Sequence, residues 1–233
     1  MIPQWVQAAE RSARDLARFA WPQRCAGCGE PPAAGHVLCP ACLAAIPRLR
    51  LPLCARCLAR EAADPVCTRH PGFTVWPAWT YDEHAARAIE AFKYAGRTDL
   101  ARPLADELVR ALPASPRFDL VTAVPLHAAR ERERGYNQSA LLARELARRA
   151  GIPHLAGALR RVRATAAQAR LGPVARRANL RGAFAVSEPE TLAGRRVLVV
   201  DDVVTTGATL EAALETLAAA GADAQAIVVA WAA

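Results

Sequence analysis

Hydrophobic positions in this chain fall into a few short unbroken runs separated by stretches of helical periodicity. The run Val197-Leu198-Val199-Val200 has no polar break, the pattern of a strand buried on both faces of a parallel sheet. Asp201, Asp202, Val203 and Val204 follow, then a Thr/Gly turn over 205–209, then an alanine-rich segment that predicts a helix over about 210–220. Residues 118–124 predict a second buried strand ending at Pro125. Trp76, Trp79 and Tyr81 mark an aromatic strand region, and 183–186 a short strand. Helical spacing predicts helices over 83–94, 100–112 and 137–149, with a loop over 126–136 before the last. Trp5, Ala9, Leu16 and Phe19 predict an amphipathic N-terminal helix within 1–20. The implied class is α/β with a parallel sheet.

The acidic end of the 197–200 strand carries the most chemistry. Ligands of open α/β sheets bind beyond the carboxyl ends of the strands, where Asp201 and Asp202 lie. Adjacent carboxylates seldom arise from packing, because buried acids are costly unless paired. They accept hydrogen bonds well and suit the vicinal hydroxyls of a ribose. Thr205, Thr206, Gly207, Ala208 and Thr209 can wrap a phosphate with N–H groups and hydroxyls, ahead of the positive end of a helix. A plain helix cap accounts for one threonine but not for two acids and Thr-Thr-Gly-x-Thr. The turn lacks the Gly-Lys-Ser/Thr ending of a nucleotide P-loop.

All seven cysteines lie between residues 25 and 67. They form the pairs Cys25/Cys28, Cys39/Cys42 and Cys54/Cys57, and Cys67 is followed by His70. The spacing gives two four-ligand sets, Cys25, Cys28, Cys39, Cys42 and Cys54, Cys57, Cys67, His70, each suited to tetrahedral zinc. Disulfides and a redox dithiol are the competing readings, and the odd cysteine count opposes the first. Residues 21–72 are rich in proline and poor in core, so metal would supply folding energy. The expected one or two zinc ions are structural, since four protein ligands leave no open position.

The net charge is +8, yet only one of the 30 basic residues, Lys93, is a lysine. Positive charge attracts phosphates and nucleic acids. Arg130, Arg132 and Arg134 lie in the expected 126–136 loop; the guanidinium groups of Arg130 and Arg134 can match pyrophosphate oxygens, and the competing reading, which suits Arg132, is a solvated loop whose Arg/Glu alternation over 130–134 makes local ion pairs. Residues 146–187 contain nine arginines and no acid. Such a stretch reads as a lid, as a surface for a nucleic-acid backbone, or as a solvated loop. The sequence has no apolar run of transmembrane length and no secretory signal, which predicts a cytoplasmic location.

Residues 197–209 resemble the motif by which type I phosphoribosyltransferases bind phosphoribosyl pyrophosphate (PRPP). That resemblance implies Asp201 and Asp202 on the ribose hydroxyls as the catalytic-site acids, and the 5′-phosphate in the 205–209 turn. Thr205 stands where some purine-salvage members carry an aspartate. Together with the cysteine pairs, Phe92-Lys-Tyr-Ala-Gly-Arg97, Val124-Pro-Leu126, Arg134-Gly-Tyr-Asn-Gln-Ser139, Thr165-x-x-Gln168 and Arg177-x-Asn179-Leu180, the chain resembles the competence protein F family. The resemblance implies a double zinc ribbon (21–72) after the N-terminal helix and a phosphoribosyltransferase-like domain (73–233). His70 stands where that family usually has cysteine. Further PRPP contacts are implied at Leu126, His127, Arg130, Arg134 and Arg177, with Mg²⁺ accompanying PRPP. The implied function is Mg²⁺-dependent phosphoribosyl transfer to an unnamed acceptor, linked to DNA uptake. The alternative is a non-catalytic accessory protein that binds single-stranded DNA. Implied partners are PRPP or another phosphorylated sugar, single-stranded DNA and a helicase-type competence protein.

Overall fold

The computed structural model describes residues 24–32, 36–49, 51–59, 67–114, 117–163 and 173–232. The expected helix within 1–20, and Thr165 and Gln168, lie outside the described residues. The elements in chain order are α1 (Pro40–Ala45), β1 (Leu53–Cys54), β2 (Thr74–Thr80), α2 (Glu83–Tyr94), a 3₁₀ turn (Thr98–Leu100), α3 (Ala101–Ala111), β3 (Leu120–Ala123), α4 (Ala128–Arg134), α5 (Gln138–Ala150), β4 (Leu159–Arg161), α6 (Pro173–Leu180), β5 (Phe184–Val186), α7 (Pro189–Leu192), β6 (Arg196–Val204), α8 (Ala208–Ala219) and β7 (Asp223–Trp231).

Five strands form the main sheet in the order β1-β2-β7-β6-β3. β2, β7, β6 and β3 run parallel, and β1 is antiparallel to β2. Successive side chains of a strand point to opposite faces, and the core divides accordingly. Leu198, Val200, Ile227 and Val229 join a core with α2, α3 and α5, including Phe92, Leu104 and Leu142. Val197, Val199, Ala226 and Val228 join a second core with α6 and α8, including Leu180, Leu210 and Leu214. The predicted parallel α/β class is therefore present, with helices on both faces.

The cysteine-rich segment is built onto this sheet. Leu53 and Cys54 pair with Val75 and Thr74. Further along β2, Leu49 N–H donates to the Ala78 carbonyl at 2.9 Å and Thr80 N–H to the Pro47 carbonyl at 2.9 Å. Residues 47–49 and 53–54 thus lie along the outer edge of β2. Cys25, Leu38, Cys42 and Ile46 are buried in the first core beside Trp79 and Phe92, whereas Leu53 and Ala55 are buried in the second.

Three expectations are revised. The 126–136 segment is not a loop throughout: α4 occupies Ala128–Arg134, started by His127 Nδ1 accepting from Ala129 N–H and stopped by Gly135 at φ 83°. A side-chain cap and a left-handed glycine are the ordinary ends of a helix, and they outweigh the Arg/Glu alternation that reads as a loop. The strand at 197–200 continues to Val204, because Asp201, Val203 and Val204 keep their register with β7. The arginine-rich 146–187 stretch carries β4 and β5, paired antiparallel, and α6. Among the described residues, no helix is long and apolar enough to cross a membrane.

Candidate functional site

β6 delivers Asp201 and Asp202 to the carboxyl end of the sheet, where they line a cleft of about 410 Å³. Both are nearly buried, at 9% and 5% exposure, so each charge needs a partner. Asp201 Oδ1 accepts from Ser139 Oγ at 2.7 Å and from the Asp202 backbone N–H at 2.9 Å. The Lys93 ammonium lies 2.7 Å from Asp202 Oδ1. Asp202 Oδ2 is buried with no hydrogen-bond partner.

Burial first, and the neighbouring Asp202 charge second, raise the Asp201 carboxyl to about 7, against the pull of Ser139 and Lys93. Burial also opposes the charged form of Lys93, but Asp202 outweighs it and holds the ammonium above its usual value. The site therefore contains two buried acids and one internal counter-ion, Lys93.

The surrounding motifs explain how these groups are held. In Arg134-Gly-Tyr-Asn-Gln-Ser139, Gly135 ends α4 in the left-handed region. Tyr136 OH donates to the Phe92 carbonyl, tying the segment to the helix that bears Lys93. Asn137 caps α5, its Oδ1 accepting from Ser139 and Ala140 N–H, and its Nδ2 donates to the Val124 carbonyl at 3.1 Å. Ser139, on the first turn of α5, reaches Asp201. Most of the motif is thus scaffolding that aims one hydroxyl at one carboxylate.

The structure gathers Leu126, His127, Arg130, Arg134, Thr205 and Thr209 around the cleft with the two acids. Gly207 takes φ 74° at the N-terminus of α8, and no side chain caps that helix. The Gly207 backbone closely approaches a part of the protein: a Cβ built on it would lie 1.7 Å from the Ala55 carbonyl oxygen. Arg177 is not in the cleft wall. Its Nε pairs with Glu211 Oε2 at 2.9 Å and its Nη2 lies 3.4 Å from the Thr206 carbonyl oxygen. Arg56 Nε pairs with Glu211 Oε1 at 2.7 Å, and Arg56 also pairs with Glu215. Arg177 therefore braces the turn from behind, together with the cysteine-rich segment.

Lys93, Ser139 and Arg161 are among the cleft groups that lie beyond the sequence expectations for PRPP contacts. Lys93 is unusual as the sole lysine, and Ser139 lies inside a quoted motif, so each left a faint signal. Arg161 on β4 also lines the cleft, and burial, with Arg130 nearby, lowers its guanidinium. Its position depends on the β4–β5 pairing, which no local pattern announces.

Both cysteine sets assemble as the spacing predicts. Within each set of four, the ligand atoms lie within 4.8 Å of one another. Cys28 and Cys39 sulfurs are 3.9 Å apart, those of Cys57 and Cys67 are 3.8 Å apart, and His70 Nδ1 is 3.7 Å from both Cys54 and Cys67 Sγ. A tetrahedron with zinc–sulfur bonds of about 2.3 Å has edges of about 3.8 Å, so the donor sets fit zinc. His70 takes the fourth corner of the second set. Burial works against a Cys25 thiolate, but N–H groups of Cys28, Cys39 and Gly27 prevail and bring it down to about 6. Gly27 has its own reason: a Cβ there would lie 2.7 Å from Cys42 Sγ.

Residues 99–233 match the phosphoribosyl transferase domain family, and residues 16–70 match the double zinc ribbon domain. The chain is 33% identical to DNA utilization protein YhgH of Salmonella typhimurium over 208 residues, 81% of this chain and 88% of the relative. It is 31% identical to the protein of the same name from Escherichia coli, over 86% of each chain. Competence protein F of Haemophilus influenzae is 39% identical over 138 residues, 56% of this chain and 60% of the relative. A crystal structure of adenine phosphoribosyltransferase from Thermoanaerobacter pseudethanolicus superposes with a TM-score of 0.37 at 17% identity, covering 59% of this chain and 83% of the other. The two family matches and the likeness to the YhgH and competence protein F relatives show that the chain belongs to the competence protein F family of double zinc ribbon and phosphoribosyl transferase domain proteins.

Proposed function

We propose that this protein binds PRPP across the Asp201–Thr209 segment and acts as a phosphoribosyltransferase in DNA utilisation. The observation that carries the reading is the buried acid pair, set with Ser139, Lys93, Thr205 and Thr209 in the wall of one cleft. Ribose hydroxyls would donate to the two carboxylates. Backbone N–H groups and hydroxyls of the 205–209 turn would take the 5′-phosphate at the uncapped start of α8. Arg130 and Arg134 would hold the pyrophosphate by charge-assisted hydrogen bonds.

The reaction breaks the bond from ribose C1 to pyrophosphate and forms a bond from C1 to an acceptor nitrogen. Positioning and electrostatic stabilisation of the leaving group account for catalysis without a side-chain nucleophile. The hard carboxylate oxygens of Asp201 and Asp202 fit magnesium, which when bound with PRPP would neutralise pyrophosphate charge. The two cysteine sets would each hold a structural zinc ion. A role in DNA uptake, and a helicase-type partner, extend to this chain from the names and resemblance of its relatives.

The test is calorimetry of PRPP with magnesium against the wild type and the Asp201→Asn/Asp202→Asn double variant, with zinc content measured in parallel. The expected result is PRPP binding by the wild type, a loss of at least tenfold in the variant, and unchanged zinc. Equal PRPP affinity in the two proteins would reject the site.

A second reading, a single-stranded DNA-binding accessory protein without transfer activity, is favoured by α4. That helix buries none of its residues and carries Arg130, Arg132 and Arg134. Steeply salt-dependent DNA binding in a protein that takes no PRPP would establish it.

A further inference from the structure

A cavity of about 610 Å³ that shares no lining residue with the acid cleft opens where the cysteine-rich segment meets the sheet. Its walls come from α1 and residues 48–49 on one side, and from β2 and the C-terminal end of α3 on the other. Pockets for small molecules span about 300–1,000 Å³ and favour such junctions.

The charged residues described in its lining are Arg48, Glu107 and Arg110. Glu107 on α3 is 1% exposed, a costly place for a carboxylate without partners. Arg48 donates to it twice, from Nε to Oε2 at 2.8 Å and from Nη2 to Oε1 at 3.2 Å. Trp79 Nε1 donates to Oε2 at 3.1 Å, and Arg110 Nη1 donates to Oε1. These donors fill the acceptor capacity of both oxygens, so Glu107 acts as a fixed brace. It holds a guanidinium from the cysteine-rich segment beside one from α3, their side chains 39% and 58% exposed. Two cations against one anion give the lining an excess of one positive charge. Each guanidinium carries more N–H donors than its pairing with Glu107 engages.

The rest of the wall is largely apolar, supplied by Leu43, Leu49, Trp76, Leu112 and Pro113. Trp76 Nε1 donates to Gln225 Oε1 at 2.8 Å, which fixes the indole and satisfies its polar atom. Its ring offers a flat apolar surface. The single excess charge matches a monoanion, and paired guanidiniums match the planar oxygens of a carboxylate. We propose that this cavity binds a small carboxylate with a flat apolar body, its oxygens bridging Arg48 and Arg110 and its ring against Trp76. Such a ligand ties the cysteine-rich segment to α3 and stabilises the fold by mass action. The site does not depend on the PRPP reading.

The test uses 1-naphthoate as the probe, 1-naphthamide as its uncharged counterpart and inorganic phosphate as an anion without a ring. Calorimetry and thermal unfolding compare them on the wild type, Arg110→Gln and Trp76→Leu, without PRPP or magnesium. Arg110→Gln leaves Glu107 paired with Arg48 and Trp79, so the fold is expected to survive. The wild type is expected to bind 1-naphthoate with a saturable rise in Tm, and to bind the amide and phosphate at least tenfold more weakly. Arg110→Gln is expected to weaken 1-naphthoate by about 10- to 150-fold, the span of lost charge-assisted hydrogen bonds. Trp76→Leu keeps an apolar wall but removes the flat ring, and is expected to cost about 2- to 10-fold.

No binding of 1-naphthoate by the wild type, equal binding of acid and amide, or full affinity in Arg110→Gln would overturn the proposal. Displacement of 1-naphthoate by PRPP would put the probe in the acid cleft and overturn it as well. Should a variant fail to fold, the comparison of acid with amide on the wild type, with PRPP as competitor, decides alone. PRPP binding measured separately reports on the sugar site and leaves this outcome untouched.

Discussion

Gly207→Ala tests how the 205–209 turn and the cysteine-rich segment depend on each other. The added Cβ would lie 1.7 Å from the Ala55 carbonyl oxygen, 2.8 Å from its carbon and 3.3 Å from its Cα. All three are backbone atoms, so no side chain can swing aside. Ala55 is fully buried, and its N–H donates to the Phe73 carbonyl at 2.8 Å. Ordinary contact between such atoms needs about 3.5 Å, so ribbon and turn must separate by nearly 2 Å. Overpacking costs about 1–3 kcal/mol, and a non-glycine residue in the left-handed region adds about 1–2 kcal/mol. The expected loss is about 2–5 kcal/mol, a fall in Tm of roughly 4–20 °C for a chain of this size. Gly151→Ala is the control: its φ of 68° imposes the same conformational cost, but nothing lies within 4 Å of the new Cβ. Zinc should remain near wild type in Gly207→Ala, since Cys54, Cys57, Cys67 and His70 keep their mutual geometry. PRPP affinity should fall, because relief of the clash moves the 205–209 turn. The assay is thermal unfolding of both variants, with released zinc and PRPP calorimetry on each. A Gly207→Ala protein that melts with the Gly151→Ala control and binds PRPP as the wild type does would refute the coupling.

Lys93→Met leaves the buried Asp202 carboxylate without its counter-ion and should destabilise the fold by about 3–5 kcal/mol. Asp202→Asn in the same background should restore most of that loss in chemical unfolding, and strictly additive effects would show that the pair does not interact. Asp201, raised to about 7, is neutral in the fold and ionised in the unfolded chain between about pH 4 and 7. Its contribution to stability is therefore present at low pH and lost as pH rises through that window. PRPP affinity should run the opposite way, rising through pH 7 as the carboxylate ionises to accept hydroxyl hydrogen bonds, with the rise absent in Asp201→Asn; a flat calorimetric profile in the wild type would count against this.

The parts legible in the sequence are those whose groups are contiguous or regularly spaced. The acids and the turn lie on one strand and the loop after it, so their juxtaposition needs no tertiary information. The cysteine sets follow from ligand spacing, and even the histidine substitution kept its corner. What escaped reading depends on packing between distant segments. Ser139 and Lys93 meet the acids because α5 and α2 share one core under β6. Gly207 announces a close approach, but only the fold identifies the Ala55 carbonyl as what it approaches. Arg177 carries the charge expected of a pyrophosphate ligand, yet α6 packs on α8 and presents it to Glu211 instead. The Arg/Glu alternation at 130–134 reads as solvated loop because the deciding features are a histidine cap and one left-handed glycine.

The coverage of β2 by residues 47–49 and 53–54 has a consequence for the chain in a zinc-starved cell. An uncovered strand edge is a template for pairing with another copy. On the reading that both donor sets hold zinc, its loss would remove the force that keeps the ribbon folded and lay β2 bare. Metal scarcity would then appear first as self-association and loss of soluble protein, before any failure of chemistry at the far end of the sheet.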